Sequence, residues 1–256
     1  MSVRAVRGAA GVAAFLLVAE LVVRFWLAEG VVFPPPSAVL IEAALLLADP
    51  AFLAGVAATL LNWALGLLAA VAVAVPAGVA LGALPAAERA TRPLLEFMRP
   101  IPSVAIIPLA ILLIPVDVAM KASVIVYAAV WPILINTLYG MREVDPLAKD
   151  SLRSFGFGPL AVLWRVSLPS AAPFVATGVR IAAGVALILA VSAELLAGGG
   201  SGIGVFVIQA GSGNRTDLML AATLWAGAAG LLANTLLVAG ERRLFRWHEA
   251  RRGAAE

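Results

Sequence analysis

The sequence predicts an all-α integral membrane protein with six transmembrane helices, and three observations predict it. Of 256 residues, 62% are hydrophobic and 13% charged, with mean hydropathy +1.02; globular chains carry about 25% charged residues. Long windows hold no charge at all, at 50–87, 100–116, 122–141, 181–193 and 218–240. A helix needs about 20 mostly apolar residues to cross the hydrocarbon, and it satisfies its own backbone there. Lysine and arginine gather in alternate connections, as they do when a chain crosses back and forth.

The first span is expected near 8–28. Arg4 and Arg7 before an apolar run look like a signal peptide. Glu20 and Arg24 interrupt that run and no small-residue cleavage site follows, so an uncleaved helix is expected. Glu20 and Arg24 are four apart and can pair on one face. Val32-Phe33-Pro34-Pro35-Pro36-Ser37 then makes an extended connector, and 38–48 a short helix on the outer surface. Residues 1–54 thus form an N-terminal helix with its external connector. The second span is expected at 56–82 and the third at 102–118, short and holding Pro108 and Pro115. The fourth falls at 121–140, the fifth at 173–196 and the sixth at 218–240. No long-period repeat and no soluble second domain is visible.

Orientation follows from the cations. Arg89, Arg92 and Arg99 follow the second span; Arg142, Lys149, Arg153 and Arg165 follow the fourth. Arg242, Arg243, Arg246, Arg251 and Arg252 follow the sixth. The other connections hold Glu29, Glu42, Asp49, Asp117 and Asp217 against only Lys121 and Arg215. Both termini are therefore predicted to be cytoplasmic.

Catalysis by this chain finds little support. There is no cysteine, and the single histidine, His248, lies in the basic tail. A zinc pattern of two histidines is impossible, and neither Lys121 nor Lys149 follows the glycine that a phosphate-binding loop requires. Gly198-Gly199-Gly200-Ser201-Gly202-Ile203-Gly204 is glycine-rich but lacks that lysine, and reads as a flexible external turn. Gly199-Gly200-Ser201-Gly202 looks like the serine motif of rhomboid intramembrane proteases. Serine needs a base within reach, and His248 belongs at the opposite face, about 30 Å away. Charged and polar groups inside spans are costly and often functional. Glu194, near the outer end of the fifth span, either caps a helix contact or lines a pathway. Asn136, Thr137 and Ser192 either bond between helices or line that pathway.

The connection 141–169 is long, cationic and helical in pattern. Asp145-Pro146 is an N-cap followed by proline at the first helical position, so Leu147 to Phe155 reads as a helix. Gly156, Gly158 and Pro159 break it. Leu160 to Val166 forms a second short helix, and Leu168-Pro169 ends that one before the fifth span. Phe155, Phe157, Leu160 and Trp164 give the pair an apolar side. Two destinations fit such an element: lipid headgroups or a soluble partner.

The spacing in this loop resembles the membrane subunit of binding-protein-dependent ABC importers, of the nitrate/sulfonate/taurine type. The signature of that family is Glu-Ala-Ala, three residues, Gly, nine residues, Ile, one residue, Leu-Pro. Asp150-Ser151-Leu152 stands at its first triplet, Gly156 at the glycine, Val166 at the isoleucine, and Leu168-Pro169 closes it. The triplet departs, with a shorter carboxylate and a larger third residue. Arg99-Pro100-Ile101-Pro102, Ile107-Pro108-Leu109, the Trp131 to Thr137 run, Val144-Asp145-Pro146, Gly202-Ile203-Gly204 and Glu241 to Trp247 add to the likeness, which covers roughly 55–248. Ile114-Pro115-Val116-Asp117 replaces a more typical aromatic-glycine segment.

The resemblance implies a MetI-like permease domain at 55–248 with a cytoplasmic coupling-helix loop at 141–169, and a tail at 249–256. It implies a homodimer in the bacterial inner membrane, two ABC ATPase subunits and a periplasmic or lipid-anchored solute-binding protein. Residues Asp150, Ser151, Phe155, Gly156, Leu168 and Pro169 would carry the coupling. ATP and Mg would sit on the ATPase, and no cofactor on this chain. Lipid surrounds it, and nothing implies nucleic acid. The family's cargo is small anions such as nitrate, sulfonates and taurine, with vitamin and pyrimidine precursors carried by relatives. A channel would need no ATPase and leave the loop unexplained; an intramembrane enzyme would need a convergent reactive set that the sequence lacks.

Overall fold

The computed structural model describes residues 3–26 and 33–245. The tail 249–256, His248, the terminal arginines from Arg246 onward and Val32 of the connector lie outside the described residues. Among those described, every regular element is helical.

Helix α1 (Val3–Trp26) is followed by α2 (Pro36–Leu46). The pairing of Glu20 with Arg24 forms at 2.6 Å. Glu20 also accepts from the backbone N–H of Ser37 at 2.9 Å and its hydroxyl at 2.7 Å, tying α1 to the start of α2. Helix α3 (Pro50–Ala83) starts on Asp49, whose carboxylate accepts from the Ala51 and Phe52 N–H groups, with Pro50 at the first position.

Helix α4 (Pro85–Met98) carries the charges that follow the second span and has no buried residue. The chain then bends by 79° into a 3-10 turn (Ser103–Ile106) and the seven-residue α5 (Ile107–Leu113). A single straight third span over 102–118 does not form. Pro100 and Pro102 stop α4, Pro108 starts α5, and Pro115 follows its end, each removing an N–H that a continuous helix would need. Asp117 instead opens α6 (Asp117–Arg142).

Helix α7 (Pro146–Ser154) and α8 (Pro159–Val162) make up the loop. Leu168-Pro169 does not end the second one. A π turn (Leu163–Ser167) carries α8 directly into α9 (Leu168–Ala197), giving one helix of 39 residues from Pro159 to Ala197. The wider π turn suits this place because Pro169 has no N–H to offer the preceding turn. Helices α10 (Ile203–Ser212) and α11 (Thr216–Leu244) are the last of the described residues' helices.

Among the described residues, four helices are long and apolar enough to cross a membrane: α3, α6, the continuous helix ending in α9, and α11. The bent pair of α4 with α5 would make a fifth. Helices α3, α6 and α9 form the centre, where small residues set the spacing. A side chain on Gly66 would strike Ile125, on Gly78 would strike Thr137, and on Gly178 would strike Asn136 and the backbone at Pro132. Ala70, Ala74, Ala129, Ala182, Ala186 and Ala190 are all buried between them. In lipid, such close approach gains packing where the hydrophobic effect offers nothing. A smaller cluster of Ala43, Leu46, Phe52, Ile203, Ala221 and Ala222 joins α2, α10 and α11 to α3, sealed by the Trp225 indole donating to the Ala43 carbonyl at 2.8 Å.

Candidate functional site

The loop gathers at the end of the bundle where α3 and α6 finish. Asp145 caps α7, accepting from the Leu147 N–H at 2.9 Å, with Pro146 at the first position. The helix ends in a Schellman arrangement: Gly156 N–H donates to the Arg153 carbonyl at 2.9 Å and Phe157 N–H to the Leu152 carbonyl at 3.2 Å. Gly156 lies at φ +82°, with open space where a side chain would stand. It is glycine for its backbone angle, not for lack of room.

Asp150 pairs with Arg153 at 2.9 Å, and both are exposed. Ser151, Phe155 and Pro169 are exposed as well, while Leu168 is half-buried. Phe155, Leu160 and Trp164 present apolar surface outward, at 80%, 68% and 65% exposure. Phe157 is instead partly covered by the Arg165 guanidinium, 4.6 Å from its ring centre. The knob is thus held to the bundle through α8 and the π turn, and its outer face is unoccupied apolar surface.

The opposite end of the bundle is organised by Glu194, which is fully buried. Its carboxylate accepts from the Thr59 hydroxyl at 2.9 Å and from the Gly204 N–H at 3.0 Å. Thr59 in turn accepts from the Ile203 N–H at 2.8 Å. The carboxylate therefore joins α9 to α3, and it and Thr59 each satisfy one of the orphan N–H groups that open α10. Buried Lys121 donates to Asp117 at 2.7 Å, and the turn wraps over them, with Gly200 against the Asp117 carboxylate.

The glycine-rich turn is therefore packed rather than loose. A side chain on Gly202 would collide with the Glu194 carboxylate, and one on Gly204 with the Val191 carbonyl. Ser201 sits in this turn, and its supposed base His248 lies outside the described residues. Sequence reasoning singled out Glu194 but missed Thr59 and Lys121. The repeated glycines at 202 and 204 were the available signal, since alternate glycines mark close backbone approach.

Asn136 donates to the Pro132 carbonyl at 2.8 Å and Thr137 to that of Ile133 at 2.7 Å, both within α6. Ser192 is half-buried on α9. Among the described residues no hydrogen bond joins these three to the Glu194 cluster, and no group of three acidic or histidine side chains stands ready for a metal.

Comparison with known proteins shows the family of the chain. Residues 66–247 match the family model of the binding-protein-dependent transport system inner membrane component. The chain is 34% identical to the taurine transport system permease protein of Escherichia coli K12 over 221 residues, covering 84% of this chain and 80% of that one. It is 33% identical over 219 residues to a probable ABC transporter permease of Brucella abortus, covering 86% and 87%. It is 31% identical over 189 residues to the bicarbonate transport system permease protein of Synechococcus elongatus, covering 74% and 68%. A chain with this helical membrane core and these relatives belongs to the binding-protein-dependent inner-membrane components, as an ABC permease of the nitrate/sulfonate/taurine type, a transport subunit and not itself an enzyme.

Proposed function

We propose that this chain is the permease of an ATP-driven importer for a small organic or inorganic anion, assembled as a homodimer. The relatives named for taurine and bicarbonate support that cargo class. Six crossings follow if α1 and the bent pair each count as one, and the alternation of cations then puts the loop and both termini in the cytoplasm. A solute-binding protein would deliver the anion from outside. ATP and Mg would be bound by a separate ATPase.

The observation that carries this reading is the knob of α7 and α8. It leaves Phe155, Leu160 and Trp164 outward, yet fixes their base through a Schellman turn and an unbroken helix into the bundle. An apolar surface on a rigid mount suits a partner that pushes and pulls. ATP-driven closure of two ATPases would draw the two knobs together and open the bundle at the other end. Residues Asp150, Ser151, Phe155, Gly156, Leu168 and Pro169 belong to this docking element. Asn136, Thr137, Ser192 and Glu194 are proposed to border the pathway or its outer closure.

The test is Gly156→Asp in the reconstituted importer. Space is open around Gly156, and aspartate tolerates a left-handed backbone better than most residues. The variant is expected to fold and insert, yet to lose uptake by about tenfold or more, equal to about 1.4 kcal/mol of docking energy. Normal ATP-driven uptake by the inserted variant would overturn the assignment.

A further inference from the structure

A cleft opens between α4 and α6. Glu88, Arg92, Glu96 and Arg99 line it from α4, and Trp131 and Arg142 from α6. On each helix these positions recur at helical spacing, so two whole faces meet across the gap. At one end Arg142 pairs with Glu88. At the other the Tyr127 hydroxyl donates to the Met98 carbonyl at 3.0 Å. Those two contacts fix an antiparallel register. It places the exposed Arg99, next to Met98, and Trp131, one turn from Tyr127, at the same end.

Tyr139, exposed near the Arg142 end, also lines the cleft; its other polar groups can be accounted for one by one. Glu88 is taken by Arg142, and Arg92 by Glu96 at 2.8 Å. Arg99 has no ion pair among the described residues. Three arginines face two glutamates, which leaves one positive charge unmatched. Trp131 Nε1 is, among the described residues, the one buried side-chain polar atom without a hydrogen-bond partner. Its ring is held edge-on by Tyr127 at 5.9 Å, so the N–H direction is set. Indole can only donate, and a buried donor left unmade is unfavourable.

We propose that the Tyr127 end of this cleft binds a small oxyanion group between the Arg99 guanidinium and Trp131 Nε1. The two uncommitted groups at the Tyr127 end are donors and one carries the unmatched charge, so the occupant is an acceptor-rich anion. A guanidinium fork fits the paired oxygens of a carboxylate, bicarbonate, sulfonate or phosphate. The proposal rests on the importer reading only for the source of that anion, a transported solute; a lipid headgroup has the same chemistry.

The experiment measures how fast phenylglyoxal modifies Arg99 in the purified permease, read by peptide mass spectrometry, with exposed Arg89 as internal reference. In phosphate-free neutral detergent, taurine, bicarbonate or sulfate is expected to slow modification of Arg99 by about tenfold and leave Arg89 unchanged. A second arm, without solute, compares nanodiscs of phosphatidylglycerol with nanodiscs of phosphatidylcholine. Protection by the solutes in detergent assigns the site to a solute, and protection by the anionic lipid alone assigns it to a headgroup. Trp131→Phe keeps an aromatic ring but removes the N–H, is checked by its melting temperature, and is expected to abolish most of the protection. Equal rates at Arg99 under all conditions, or full protection retained in Trp131→Phe, would overturn the site. No ATPase takes part, so failure here leaves the importer reading standing, whereas an active Gly156→Asp importer would sink that reading and leave this one.

Discussion

Gly156 and Gly204 lie beyond opposite ends of α9, each in a glycine-rich break that looks alike in sequence. Around Gly156 nothing stands within reach, and what is unusual is its backbone angle of +82°. Around Gly204 the backbone of Val191 and the side chain of Glu194 leave no room for a side chain. The first break is stabilised by bonds between residues a few positions apart. The second is held by bonds from Thr59 and Glu194, which come from different helices. One end of the bundle is built to offer surface, and the other to close on itself.

That contrast makes a graded set of expectations for stability, each read by thermal melting of the purified protein in one detergent. Gly204→Val is expected to be the most damaging. It drives a branched side chain into backbone atoms that cannot yield, at a cost of about 4 kcal/mol or more, and little monodisperse protein should be recovered. Glu194→Ala should cost about 3 kcal/mol, because it strands the Gly204 N–H in a dry interior and leaves the Thr59 hydroxyl only the Gly55 carbonyl of its own helix, cutting the tie between α3 and α9. Glu194→Gln, which keeps an acceptor, should recover part of that loss. Gly156→Ala should cost only about 1 kcal/mol, the strain of a left-handed residue in open space. If Gly156→Ala melted as low as Gly204→Val, the contrast between the two ends would fail. If Glu194→Ala melted like the parent chain, the closed end would owe nothing to its carboxylate.

What could be read from the sequence was what depends on neighbours in the chain. Asp145-Pro146 and Gly156 fixed the limits of α7 because capping and left-handed turns are local chemistry. The long apolar windows located α3, α6 and α11 because lipid imposes length and composition directly. The third span does not follow the bounds 102–118, because four prolines between 100 and 115 can end a helix or merely start the next one, and packing decides which. The stop expected at Leu168-Pro169 failed for the same reason, a π turn absorbing the proline. Glu194 was visible as a buried charge, but its partner Thr59 lies 135 residues away, and no pattern along one chain pairs them. Family likeness supplied the assignment of the loop, which physics alone left between a lipid surface and a partner.

The π turn has a mechanical consequence. Because it preserves the helix through Pro169, the segment from Pro159 to Ala197 is a single beam of 39 residues, about 58 Å long. A pivot at one tip of so long a beam is amplified at the other: about 5° of swing moves the far tip about 5 Å at this rise per residue. Glu194 rides three residues from that far tip. Whatever tugs on the exposed aromatic tip is carried along this one helix, through the π turn and past Pro173, toward the latch that Glu194 makes with Thr59.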